Sequence, residues 1–292
     1  MKKLVVVINN KIGVFDSGIG GVTVLKEILK ILPNEDFIYY SDSRNNPYGD
    51  KSDKEIFQIC NDIVKKMINE CKMIVIACNT ASAKAADKLR KKYPDIPIMA
   101  IEPAYKQVHD YAYERTTLIM ATKGTIESEK FHDLYCKYDN HKTYLLPCVG
   151  LANIIEEGNK SKIKKYLKEM LTEYSGKVEN VVLGCTHYPL IKNEIEQILG
   201  KVEFFDGSIG LAKNVQNILI EKNMLSKNLN RGNIFFLDTS ESELKKERFF
   251  NILEISPNLL IIWTKSDIVY KVKLKQKRRI ANGNNRKSFW FI

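Results

Sequence analysis

The chain has 292 residues, 44% hydrophobic and 28% charged, a soluble globular composition long enough for two domains and unlike a collagenous or disordered chain. The net charge is +11, but residues 271–292 hold eight lysines and arginines and no acid, which leaves +3 for the rest. A nucleic-acid-binding body is thereby disfavoured, and contact with phosphate is confined to the basic tail.

In chain order, "MKKLVVVINNK" has a charged start but only five consecutive apolar residues and no small-residue cleavage site. It reads as a first strand, not a signal peptide. No run reaches the ~18 apolar residues of a membrane span, so a cytoplasmic protein is expected. "IGVFD" is a strand that ends in the turn "SGIGG", and "VTVLKEILKIL" has apolar residues at helical spacing. "FIYYSD" is the next strand and "KEIFQICNDIVKKMIN" a helix. "MIVIAC" is a strand feeding the helix "NTASAKAADKLRKKY", and "IPIMAI" a fourth strand. This βαβα order predicts a mostly parallel sheet with helices on both faces. The order then restarts: "TTLIMATKGTIESEKFHDLY" is strand, glycine turn and helix. "KTYLLPC" is a strand, "KSKIKKYLKEMLTEY" a helix, and "NVVLGCTHYPLIKNEIEQIL" again strand then helix.

The restart has a nearly constant offset. Gly18 to Gly124 is 106 residues, Asp42 to Cys148 is 106, and Cys78 to Cys185 is 107. We read this as an internal duplication giving two pseudo-symmetric α/β domains. The expected boundaries are 1–104 plus 213–270 for the first, discontinuous domain and 105–212 for the second, with 271–292 as a basic tail. Ligands of parallel sheets bind beyond the carboxyl ends of the strands. The duplication would therefore set Cys78 and Cys185, both at such ends, across one cleft.

Six cysteines scattered through a long chain without a C-x-x-C pair do not form a disulfide framework. A cysteine just before a helix feels the positive end of the helix dipole, which favours thiolate. Two opposed thiols suit the removal of a proton from one face of a carbon and its return to the other, a racemisation that needs no cofactor. The α-proton of an amino acid is far less acidic than a thiol of pKa about 8.5, so donors must stabilise the carbanionic transition state. Asn79, Thr80, Thr186 and His187 follow the two cysteines. Asp16 and Ser17 stand on the glycine turn, whose N–H groups could hold a substrate carboxylate. Tyr48 and Gly49 lie on the loop "NNPYGDKS".

"GVFDSGIGG", "PYG", "ACNTASA", "ATKGTI" and "LGCTHYPL", in this order and spacing, resemble glutamate racemase of the cofactor-independent aspartate/glutamate racemase superfamily, from about Ile12 to about Ala212. The resemblance implies two α/β domains that close on glutamate. It also implies that Cys78 takes the proton of D-glutamate and Cys185 that of L-glutamate, with Asp16 and His187 assisting. Asp16, Ser17, Tyr48, Gly49, Asn79, Thr80, Thr186 and His187 match the family's substrate contacts. Glu156 falls at an assisting acid, with Glu157 as the alternative register. The implied role is supply of D-glutamate for peptidoglycan, with no cofactor and no metal. "SDSRNNPYG" stands where members often read "GDTxxxPYG", and residues beyond about Asn258 match nothing in the family.

Other readings stand beside this one. The same chemistry could act on aspartate or another amino acid, or the chain could be a non-catalytic protein binding nucleic acid or a partner through its tail. Cys78 and Cys185 could be buried small hydrophobes, or zinc ligands together with His187 and Asp16. Cys60 and Cys71, within and at the end of one helix, read as core. Cys148, the repeat partner of Asp42, reads as a cleft residue. His109, His132 and His141 read as surface residues. A homodimer and the order of the tail are left open.

Overall fold

The computed structural model describes residues 10–254 and the strand backbones of 259–263 and 268–273. The strand read into residues 1–9 and the tail from 274 onward lie outside the described residues. Residues 271–273, counted with the tail above, belong to a strand.

The first part of the chain runs β1 (Lys11–Asp16), α1 (Val22–Ile31), β2 (Asp36–Ser41), α2 (Asp53–Met67), β3 (Cys71–Ile76), α3 (Asn79–Lys92) and β4 (Ile98–Ala100). The second runs α4 (Tyr105–Ala112), β5 (Thr117–Ala121), α5 (Lys123–Ile126), α6 (Glu129–Tyr138), β6 (Thr143–Pro147), α7 (Leu151–Glu157), α8 (Lys160–Leu171), β7 (Asn180–Gly184), α9 (Lys192–Leu199) and β8 (Glu203–Phe205). The chain then continues through α10 (Ser208–Glu221), β9 (Asn233–Asp238), α11 (Glu243–Leu253), β10 (Leu259–Trp263) and β11 (Ile268–Lys273).

Local chemistry explains the elements. The central strands are buried on both faces, so β1, β3 and β7 are nearly continuous apolar runs, as parallel strands require. Helix α2 starts at a capping box: Ser52 Oγ accepts the Glu55 N–H and the Glu55 carboxylate accepts the Ser52 N–H. Its buried stripe of Ile56, Cys60, Ile63, Val64 and Met67 has helical spacing. Cys71 opens β3 and does not end the preceding helix as expected, because the chain turns at Glu70 and the thiol enters the core beneath the sheet. Burial pushes that thiol up to about 12.

The strands form two sheets, β10-β11-β9-β2-β1-β3-β4 and β6-β5-β7-β8. The run β2-β1-β3-β4 and the run β6-β5-β7-β8 have the same order, and Lys11 and Thr117, which open β1 and β5, are 106 residues apart. Pairing is parallel throughout except where β11 joins β9 and β10. Each sheet is covered on both faces. Helices α1, α10 and α11 pack on one side of the first sheet and α2 and α3 on the other. The second sheet has α7, α8 and α9 on one face and α4 and α6 on the other. In each sheet strand order reverses between β1 and β3, or β5 and β7, which opens a crevice at the carboxyl ends of those strands. Among the described residues no helix is long and apolar enough to cross a membrane.

Candidate active site

Cys78 sits two residues beyond β3 as the N-cap of α3, with extended backbone (φ −74°, ψ 124°). Its thiol lies 3.9 Å from the Ser17 hydroxyl and faces the Ala81 N–H in the first turn of the helix. Burial, reinforced by the negative charge of Asp16, pushes this thiol far above its ordinary value; the Ala81 and Ser17 donors only partly offset that.

Cys185 directly follows β7, but no α-helix starts beside it. The Tyr188–Ile191 segment is a tight 3-10 turn, and α9 begins only at Lys192. Pro189 has no N–H to give to the Cys185 carbonyl, so Tyr188 supplies it from one residue nearer, at 3.1 Å. The helix start that the dipole argument needs is therefore present at Cys78, where burial and Asp16 outweigh it, and absent at Cys185. Cys185 has a histidine instead: its Sγ is 3.8 Å from His187 Nδ1, and His187 Nε2 is 2.6 Å from Glu156 Oε2. Glu156 Oε1 is 2.9 Å from Lys245 Nζ, and the Ile19 N–H donates to both carboxylate oxygens at 3.2–3.3 Å. Glu157 is exposed and pairs with Lys162, so of the two registers Glu156 is the residue that meets the histidine.

The electrostatics of this cluster follow from its geometry. Burial works against charge on both members of the His187–Glu156 pair, yet the pair wins. Hydrogen bonds to Cys185 and Glu156 hold the imidazolium well above its ordinary range, and His187 with Lys245 brings the Glu156 carboxyl down to about 2. Asp16 moves the other way. Burial raises it despite the positive His187 and the N–H groups of Gly21 and Gly18.

The two halves interlock at the site. Asp16 Oδ2 accepts the N–H groups of Gly18 and Gly21, and its Oδ1 accepts the Thr186 hydroxyl at 3.2 Å. Thr23 Oγ1 reaches the Thr186 carbonyl at 3.2 Å. Gly18 and Gly20 permit this approach: a Cβ on Gly18 would lie 2.7 Å from the Glu156 carboxylate, and one on Gly20 2.5 Å from His187 Nδ1. The glycine-loop N–H groups expected to hold a substrate carboxylate thus hold carboxylates of the protein itself.

A narrow cavity of about 30 Å³ lies between the halves. Its wall includes Ser17, Tyr48, Gly49, Cys78, Asn79, Thr80, Cys185, Thr186 and His187, all expected from sequence, and Cys148. Asp16 and Glu156 stand behind that wall. Tyr48 is held by its hydroxyl, which donates to Asp42 Oδ2 at 2.6 Å, while Asn45 Nδ2 donates to the same carboxylate. Burial drives the Cys148 thiol up to about 12. Cys60 is core, and His109, His132 and His141 are exposed, as expected.

Sequence reasoning missed Thr122, Asn153 and Lys245. Thr122 had a signal, because it is the repeat equivalent of Asp16 at an offset of 106; its hydroxyl pairs with Thr80 Oγ1 at 2.9 Å across the cleft. Asn153 also lines the cavity, and its Oδ1, like that of buried Asn79, is enclosed without a hydrogen-bond partner among the described residues.

Residues 19–213 match the family model described as Asp/Glu/Hydantoin racemase. The chain belongs to this family, and with it to the isomerases that act as racemases. Among its relatives is the glutamate racemase of Clostridium perfringens, 41% identical over 260 residues that span 87% of this chain and 97% of the relative. The fold matches the crystal structure of glutamate racemase from Francisella tularensis in complex with D-glutamate at a TM-score of 0.73 and 33% identity, over 86% of this chain and 96% of that one. It also matches the Escherichia coli glutamate racemase in complex with L-glutamate and the activator UDP-MurNAc-Ala at a TM-score of 0.73 and 26% identity, over 84% and 94%.

Proposed function

We propose that this protein interconverts L- and D-glutamate by proton exchange between Cys185 and Cys78 at the α-carbon, without a cofactor, and that its D-glutamate supplies peptidoglycan in the cytoplasm. One observation carries the reading: two cysteines at equivalent strand ends line one cavity in opposite electrostatic settings. Cys78 is driven toward the neutral thiol, while Cys185 lies against an imidazolium. For L-glutamate, the Cys185 thiolate takes the α-proton and forms S–H, and the C–H electron pair stays on carbon. The Cys78 thiol then gives its proton to the opposite face and becomes thiolate. D-glutamate runs the sequence in reverse.

Thr80 and the first turn of α3 suit the charge that develops on the α-carboxylate, and the Thr186 hydroxyl is held by Asp16. The enclosed acceptor Asn79 Oδ1 suits an ammonium hydrogen. Asp16, with its oxygens engaged by Gly18, Gly21 and Thr186, positions the Ser17 turn and sets the charge felt by Cys78. The cavity between the two halves is the place for glutamate. This reading takes them as domains of residues 1–104 plus 213–270 and 105–212, with the first resuming near Ser208: Leu211, Val215 and Leu219 of α10 pack with Val24, Leu25 and Ile28 of α1.

The test is α-deuteration in D₂O together with circular dichroism on each glutamate enantiomer, with no pyridoxal phosphate added. Both enantiomers should exchange and racemise. Folded protein that exchanges neither overturns the proposal, and exchange of aspartate alone transfers it to that substrate. Cys78→Ala and Cys185→Ala should each abolish racemisation with the fold retained; near-normal turnover in either refutes the two-thiol assignment.

A further inference from the structure

Helix α11 reaches the site from outside the cavity wall. Lys245 Nζ is 2.9 Å from Glu156 Oε1, with side chains 16% and 6% exposed. The other oxygen of the same carboxylate meets His187 at 2.6 Å, and His187 stands 3.8 Å from the Cys185 thiol. One turn further along α11, Arg248 Nη2 donates to the Ile155 carbonyl at 2.8 Å and Nη1 donates to the Glu156 carbonyl. These carbonyls belong to the last turn of α7, which ends at Gly158 in left-handed backbone (φ 74°), and the Ile155 carbonyl also accepts the Gly158 N–H at 3.0 Å. Two cations from one helix thus grip Glu156, one by its carboxylate and one by its backbone.

We propose that Lys245 is a positioning residue for Cys185, holding Glu156 so that its free oxygen faces His187 and His187 in turn faces the thiol. The proposal rests on the reading of Cys185 as a proton-transferring base. Without Lys245, Glu156 Oε1 keeps only the Ile19 N–H at 3.3 Å among the described residues, and the carboxylate can rotate away from the imidazole. Two consequences act in the same direction. A looser carboxylate supports the imidazolium less, and loss of the cation withdraws positive potential from the thiolate. The other ionisable side chains facing this cluster are Asp16 at the end of β1, Tyr39 on β2, Cys78 at the start of α3, and Cys148 and Tyr188 beside Cys185. None of them is a cation, and the Arg248 guanidinium is engaged by the Ile155 and Glu156 carbonyls. A purely structural role, pinning α11 to α7, would lower stability and leave the thiol's reactivity alone.

The experiment measures alkylation of Cys185 by iodoacetamide in the full chain, resolved from the other cysteines by peptide mass spectrometry, together with kcat and KM for each enantiomer. Lys245→Met should slow Cys185 alkylation about tenfold near pH 7 and should lower kcat about tenfold with KM little changed. Lys245→Arg should restore both, and Lys246→Met, on the same helix beside Glu243, should match wild type. Alkylation of Lys245→Met within about twofold of wild type near pH 7 overturns the proposal. Should the methionine variant fail to melt cooperatively, Lys245→Gln takes its place under the same criterion. Wild-type protein that racemises nothing while Lys245→Met still slows Cys185 alkylation would overturn the racemase reading and uphold the coupling.

Discussion

At Glu156 a buried carboxylate is shared between an imidazolium and an ammonium, which makes its charge part of the stability of the fold as well as of the site. Its folded pKa is depressed from 4.5 to about 2, so its contribution is present above 4.5 and is lost as pH falls toward 2. His187 is raised above its ordinary 6.5, so its contribution is complete below 6.5 and is lost as pH climbs through the folded value. The two windows overlap between 4.5 and 6.5, where the pair stabilises most. Glu156→Gln should cost about 3 kcal/mol in that window, because it breaks a buried ion pair. Chemical denaturation across pH should find the wild-type advantage shrinking on either side. An advantage that stays constant with pH would mean that the pair is not ionised.

At the scale of elements, the site depends on how closely the β1–α1 glycine loop approaches the loop after β7. Gly20→Ala would place a Cβ 2.5 Å from His187 Nδ1. Relief of that clash should cost about 1–3 kcal/mol, whereas displacement of the histidine should cost about a hundredfold in turnover. Parallel measurement of melting and kcat/KM would expose an activity loss out of proportion to the stability loss; proportionate losses would refute this account. Strand ends, glycine turns and cysteines were readable in the sequence because apolar runs and a repeat offset are local or periodic signals. The helix start at Cys78 was readable for the same reason. The 3-10 turn after Cys185 was misread, although Pro189 was in view, because the strand-to-helix pattern was carried over from the first half. The partners of the glycine-loop N–H groups, and the reach of Lys245 to a carboxylate 89 residues earlier, depend on packing between elements. No local pattern encodes that packing.

For the whole molecule, the doubled strand order accounts for two crevices that open toward each other, and the first sheet alone is extended by β9, β11 and β10. Because β11 runs to Lys273, a truncation that tests the basic terminus should retain this strand. Removal of residues 274–292 takes away six cations and no acid. It should leave kcat and KM unchanged and weaken any salt-sensitive retention on a nucleic-acid column. A large fall in turnover would instead tie the terminus to the catalytic body.

The contact of Gly20 with His187 also bears on how such a chain can change over generations. After a duplication, two halves are ordinarily free to drift apart, each answering only to its own core. Here a side chain gained on the first half is admitted only if the histidine of the second half moves or shrinks, and a change at Thr186 releases Asp16 on the opposite side. The halves therefore vary as one heritable unit at the seam and independently everywhere else. Substitutions tolerated singly along the outer helices should be tolerated at the seam only in pairs.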